Sequence, residues 1–136
     1  MNNVEQTLSI IKPDAFERKL SQEIKEIFFK NNLKIKNSKK IHITKDEAAE
    51  FYKIHQSKPF YNDLCNYLSS GPIEVMILEG EGAVLKNREL MGATDPKKAE
   101  KNTIRNLFGI SIDKNSVHGS DSLENAKKEI NFFFKD

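Results

Sequence analysis

The stretch NSVHGSDSLENAKKEI, Asn115–Ile130, reads as a brief strand, a polar turn and an amphipathic helix, with one histidine near the junction. SVHG has the short, branched character of a strand. Asp121 and Glu124 form an N-cap pair where the helix is expected to open, and Leu123, Ala126, Ile130 and Phe133 recur at three- and four-residue steps, which makes one apolar face. Such a helix has to cover a sheet, and SVHG is the nearest strand to belong to it. His118 stands three residues before the expected helix start, where the positive end of the helix would stabilise a phosphate on the ring. Gly119 is expected to clear bulk beside the ring, and Ser120 and Glu129 to hydrogen-bond it. On VHG alone, a structural histidine satisfied by backbone groups is the commoner outcome, so the rest of the chain has to decide.

Working outward, IEVMILE (Ile73–Glu79) reads as a central strand after the SSGP break, being short, β-branched and mostly apolar. QTLSIIKP reads as a strand closed by Pro13, which leaves Lys12 at its C-terminal edge, where ligand-facing groups of α/β layers gather. Leu20, Ile24, Ile27 and Phe28 predict a helix over about 21–32. In LKIKNSKKIHI the odd-numbered Leu33, Ile35, Ile41 and Ile43 predict a strand with one buried face and His42 on the other. Thr44 and Glu47 form a capping box that opens a helix through DEAAEFYKIH. Ser57-Lys58-Pro59 interrupts it before a second helical run with Phe60, Leu64, Tyr67 and Leu68. EGAVLKNRELMG predicts a helix stopped by Gly92, Asp95-Pro96 a turn, and Ile104–Phe108 a short helix ended by Gly109. The order β, α, β, α-α, β, α, β, α implies an α/β sandwich, with helices covering a small sheet. At 136 residues it is expected to form one domain over 1–136.

Hydrophobic residues make up 38% and charged residues 31%, the balance of a soluble globular chain rather than a disordered or membrane-spanning one. The net charge of +2 is spread along the length, so neither a nucleic-acid arm nor a membrane-binding face is expected. Met1-Asn2-Asn3 leads into a strand pattern with no long apolar region, which argues against a signal peptide and for a cytoplasmic protein. The single cysteine, Cys65, can form no internal disulfide and is expected to be a small buried apolar group in FYNDLCNYL. His42, His55, His118 and Cys65 match no metal-ligand spacing, so no protein-held metal is expected. Of 22 basic residues only Arg18, Arg88 and Arg105 are arginine. A lysine-rich chain that keeps a few arginines can place them where a rigid planar fork grips phosphate or carboxylate.

IIKPD, KNREL, GATDP, NTIR and NSVHGSDS occur in this order, and together they closely resemble the nucleoside diphosphate kinase family from about Glu5 to Phe134. The resemblance implies an α/β (α+β) sandwich with a ferredoxin-like, antiparallel four-stranded sheet. It implies a ping-pong kinase in which His118 takes the γ-phosphate of a nucleoside triphosphate, mainly ATP, and passes it to a nucleoside diphosphate. By that resemblance Arg88, Thr94 and Arg105 would hold phosphates, with Mg²⁺ carried on the nucleotide's own oxygens rather than by protein ligands. Lys12 and Asn115 would bond the ribose hydroxyls, Lys12 would also reach the transferred group, and Tyr52 would sit beside it. Phe60 and Ile112 would cover the two faces of the base near Leu64, Glu129 would orient His118 and pair with Ser120, and the chain would assemble as a homo-oligomer, tetramer or hexamer. The chain departs from the family's pattern at Lys101-Asn102, where Pro-Gly commonly precedes TIR, and at Leu107, where aspartate is common. Without the resemblance, Tyr52, Phe60 and Leu64 read as core, Thr94 as a cap and Glu129 as a solvated helix residue. A nucleotide-binding module without turnover and a histidine phosphocarrier are the competing readings.

Overall fold

The computed structural model describes residues 4–112 and 114–134; the N-terminal reading at Met1–Asn3 lies outside them. The strands are β1 (Val4–Ile11), β2 (Lys34–Ile41), β3 (Ile73–Glu81) and β4 (Val117–Gly119). The α-helices are α1 (Pro13–Glu17), α2 (Ser21–Lys30), α3 (Lys45–Phe51), α4 (Tyr61–Leu68), α5 (Ala83–Met91), α6 (Ile104–Phe108) and α7 (Leu123–Phe133), with short 3₁₀ turns at Lys53–His55 and Pro96–Lys98. One four-stranded sheet has the order β2-β3-β1-β4, and every neighbouring pair is antiparallel. This is the ferredoxin-like arrangement, with β1 and β3 central.

Period-two alternation sorts the side chains of the sheet into two cores. Leu8 and Ile10 of β1 join Ile73 and Val75 of β3, and are covered by Ala48, Tyr52, Cys65, Leu68 and Phe133 from α3, the segment after it, α4 and α7. Ile11 joins Met76, Leu78 and Val117 on the opposite face, with Ile24 and Phe28 of α2 and Met91 of α5. Fully buried side chains such as Leu8, Ile10 and Phe28 contribute about 1.5–3 kcal/mol each by leaving water. Cys65 is buried among apolar groups, as expected.

Most boundaries follow local signals. The capping box of α3 forms, with Thr44 Oγ1 accepting from Glu47 N at 3.1 Å and Glu47 Oε1 accepting from Thr44 N at 2.9 Å. Gly92 caps α5 at φ 83°, a left-handed value that suits glycine.

Several expectations need correction. The odd-numbered residues around β2 do not share a face: Leu33 and Ile35 pack in one core, Ile41 and Ile43 in the other. The register slips between Ile35 and Asn37, and one extra residue in a strand inverts the alternation beyond it. His42 is exposed as expected, but it lies past the strand end, its Nε2 2.8 Å from the Ser69 carbonyl. The cap of α7 is Ser122, whose Oγ accepts from Asn125 N at 3.1 Å; Asp121 instead accepts from the Asn125 amide at 2.6 Å. α1 was not foreseen: Pro13 both ends β1 and occupies the first helical position, where its missing N–H costs nothing.

Candidate active site

Within β4, His118 lies opposite Ile10 of β1 and so points with it towards α3 and α7. Its Nε2 is 3.0 Å from Glu129 Oε1, and the same oxygen accepts from Ser120 Oγ at 2.9 Å. Ser120 is clamped in turn to β1, its Oγ taking Leu8 N at 3.3 Å and its own N reaching Leu8 O at 3.2 Å. A carboxylate can only accept, so the Nε2 contact places the ring proton on Nε2 and leaves the Nδ1 lone pair for chemistry. The histidine side chain is 20% exposed, enough to meet a substrate. The element that α7 brings to it is therefore Glu129 from mid-helix; the helix begins only at Leu123, later than the three-residue spacing expected. Gly119 serves a different neighbour from the one expected. It faces α5, where a Cβ would lie 2.4 Å from Asn87 Nδ2 and 2.7 Å from Met91 Cε, so its bareness admits the helix rather than the ring.

A file of rings leads away from His118. Tyr52 stands 6.4 Å from it, His55 6.2 Å from Tyr52, and Phe60 6.5 Å from His55. Tyr52 is buried, and burial, reinforced by the Glu129 charge, raises its hydroxyl pKa, so it stays protonated as a donor near neutrality. Phe60, at the N-cap of α4, is 43% exposed, and Ile112, between α6 and β4, is 56% exposed. Leu64 is half-buried and packs on the core that contains Tyr52. Two residues near the ring were not singled out from sequence. Phe51 packs edge-on against His118 at 5.2 Å, and His55 links Tyr52 to Phe60. Phe51 lies four residues before His55 and Tyr52 three before it, a spacing that is indistinguishable from ordinary core periodicity.

On the other side, Lys12 Nζ donates to Asn115 Oδ1 at 2.9 Å, and Asn115 Nδ2 donates to the Thr94 carbonyl at 3.0 Å. Arg105 spans two segments, with Nη1 on Gly92 O at 3.0 Å and Nη2 on Val117 O at 2.9 Å. Burial and then the Arg88 charge lower its pKa to about 10, still far above neutrality, so the guanidinium keeps its charge. Arg88 is exposed and reaches the Asp121 carbonyl at 3.5 Å. Arg88, Thr94 and Arg105 line a common depression of about 260 Å³ with Met91 and Gly92. A larger hollow, about 810 Å³, lies between Pro13, Phe16, Lys25, Lys40 and Pro72, and none of the expected site residues lines it; the side-chain chemistry, not the volume, marks the site. Among the described residues no three His, Cys, Asp or Glu gather to hold a metal ion.

Asn102 accounts for one departure in this loop. Its φ is 72°, the conformation a glycine would favour there, and asparagine is the residue that next most readily adopts it. Its N–H is taken by Asn106 Oδ1 at 3.2 Å.

The comparisons converge on one family. The family model for nucleoside diphosphate kinase matches residues 5–136. A nucleoside diphosphate kinase of Nitratiruptor sp. is 59% identical over 131 residues, covering 96% of each chain, and one of Campylobacter jejuni is 56% identical over 132 residues, covering 97% of this chain and 96% of its own. The solved nucleoside diphosphate kinase of Aquifex aeolicus superposes with a TM-score of 0.94 at 42% identity, covering 97% of this chain and 96% of its own. With a histidine braced by a carboxylate on a ferredoxin-like sheet, and with matches of this length on both sequence and fold, the chain belongs to the nucleoside diphosphate kinase family of phosphotransferases.

Proposed function

We propose that residues 1–136 act as one catalytic domain that transfers the γ-phosphate of a nucleoside triphosphate, mainly ATP, to nucleoside diphosphates through a phosphohistidine on His118. The observation that carries this reading is the Ser120–Glu129–His118 chain of hydrogen bonds, which leaves Nδ1 as the attacking nitrogen. Nδ1 forms a bond to phosphorus as the bond from phosphorus to the bridging oxygen breaks, and the diphosphate leaves with that electron pair. A second diphosphate reverses the step through its terminal oxygen. Glu129 holds the Nε2 proton throughout and offsets the positive charge on the phosphorylated ring.

Phosphoryl transfer needs donors on the non-bridging oxygens more than it needs covalent help. Arg88, Thr94 and Arg105 supply them; the two carbonyl bonds of Arg105 use one N–H on each Nη, and the second N–H on each is left for phosphate, Nε being buried. Lys12 and Asn115, already paired, would take the ribose hydroxyls, with Lys12 also reaching the phosphoryl group and Tyr52 donating beside it. Phe60 and Ile112, both exposed, would take the faces of the base near Leu64. Faces are common to all bases, so specificity would be broad. Among the described residues the site offers cations and hydroxyls but no carboxylate cage, so Mg²⁺ fits as part of the nucleotide, where it would neutralise phosphate charge.

Exposed Phe29, Leu107 and Ile110 support assembly as a homo-oligomer, tetramer or hexamer, which sedimentation would size. Among the described residues no helix is long and apolar enough to cross a membrane; the cytoplasmic setting is part of the proposal. Incubation with radiolabelled ATP and a chase with GDP tests the reaction. Label that moves from protein to GDP is the expected result; label that stays on the protein would indicate a phosphocarrier, and no label a binding module.

A further inference from the structure

Ser116 is fully buried and not a glycine, yet its φ is 76°. A side chain in this left-handed region is strained and persists only where its surroundings hold it. Here they do so from both sides. The Ser116 carbonyl accepts from Lys12 N at 2.8 Å, and its Oγ donates to Asp14 Oδ2 at 2.9 Å. Val117 N closes the turn on Asn115 O at 2.9 Å. This turn aims Asn115 at Lys12 and Thr94, and two residues later the chain delivers His118.

Asp14 itself is fastened. Arg18 Nη2 donates to its Oδ2 at 3.1 Å and also reaches the Phe108 carbonyl, while Arg18 Nε holds the Asp14 carbonyl at 3.1 Å. Tyr67 donates its hydroxyl to Asp14 Oδ1 and accepts from Asp14 N at 2.8 Å. Burial, and then that bond, raise the Tyr67 pKa, so the phenol remains a donor. Of the chain's three arginines, Arg18 therefore grips a carboxylate rather than a phosphate, and that side chain, 4% exposed, is fully engaged by Arg18, Tyr67 and Ser116.

We propose that Asp14, anchored by Arg18 and Tyr67, is a positioning residue that acts through Ser116: it holds the strained turn that places Asn115 against Lys12 and sets His118. The proposal rests on the kinase reading for what Asn115, Lys12 and His118 do. It separates two substitutions at one position. Ser116→Ala removes the hydroxyl and keeps the strain; Ser116→Gly removes the hydroxyl and the strain together, because glycine adopts this φ freely.

The test is the ADP dissociation constant by calorimetry and kcat and KM with GDP, for the parent, both Ser116 variants, and Asp14→Asn alone and combined with Ser116→Gly. Ser116→Ala is expected to weaken ADP binding and kcat/KM about tenfold, with KM carrying most of the change, and Ser116→Gly to recover to within about threefold of the parent. Asp14→Asn should cost about tenfold in the parent and little in the Ser116→Gly chain. Equal dissociation constants for the alanine and glycine variants would overturn the proposal, as would an Asp14→Asn loss that is the same in both chains. If Asp14→Asn does not fold, the Ser116 pair decides alone. A parent that binds ADP but transfers no phosphate would refute the kinase reading, while the dissociation constants still decide this one.

Discussion

The wall that carries His118 and the loop from Gly92 to Asn115, which carries Thr94 and Arg105, are built differently. In the wall, β4 pairs with β1, Ser120 is bonded twice to Leu8, and Glu129 comes from an eleven-residue helix packed on the sheet. The loop is held by side chains reaching to backbone carbonyls: Arg105 to Gly92 and Val117, Asn115 to Thr94, Arg18 to Phe108, Asn106 to Ala99. A ladder shares its load among many bonds, whereas each of these cross-links is a single residue. The wall should therefore tolerate loss of the proposed nucleophile without losing shape, and the loop should lose placement when one fork is shortened.

The largest effect is expected at the wall. His118→Ala should abolish phosphoenzyme and lower kcat/KM by on the order of 10³ or more while leaving the melting temperature nearly unchanged, since the ring is a partly exposed neighbour of the core rather than its centre. Acid-labile label at parent stoichiometry on that variant would remove His118 from the nucleophile's role. Next is the loop. Arg105→Lys keeps a charge but cannot span the Gly92 and Val117 carbonyls while facing phosphate, and should cost about 1–3 kcal/mol of transition-state stabilisation. An unchanged kcat/KM would mean that charge alone suffices, and the contrast between wall and loop would not hold.

Smaller effects lie along the file of rings. Purine and pyrimidine diphosphates should differ by about tenfold to a hundredfold in kcat/KM, and Phe60→Ala should compress that range by removing one stacking face. A preference above about 10⁴ for one base would show edge-reading groups and end the broad-specificity reading. The smallest effect concerns His55. Burial, then the charges of Lys58 and His118, lower its pKa below the ordinary 6.5, so the folded chain holds it neutral where the unfolded chain takes a proton. That stability is complete above pH 6.5 and declines as the pH falls below it. The melting temperature should drop from pH 7.5 to 5.5, and His55→Asn should drop less; equal slopes would place the pH response elsewhere, in the loop or the wall.

Sequence alone determined what depends on near neighbours. The capping box at Thr44 and Glu47, the stop at Gly92 and the short helix Ile104–Phe108 all rest on contacts within about one turn of chain, where residue type dictates geometry directly. The family was legible because five short motifs kept their order along the chain. Tertiary structure decided what depends on residues far apart. The slip in β2 that sends Ile41 to the other face is fixed by pairing with β3, and the direction of Gly119 by the arrival of α5. Ser116 meets Asp14 across 102 positions, and Lys12 meets Asn115 across 103. Such pairs leave no periodic trace, because a hydrogen bond between distant residues needs only that the sheet bring β1 and β4 side by side. The groups proposed to react were thus readable in one dimension, and their juxtaposition came from the antiparallel register that sets β4 beside β1.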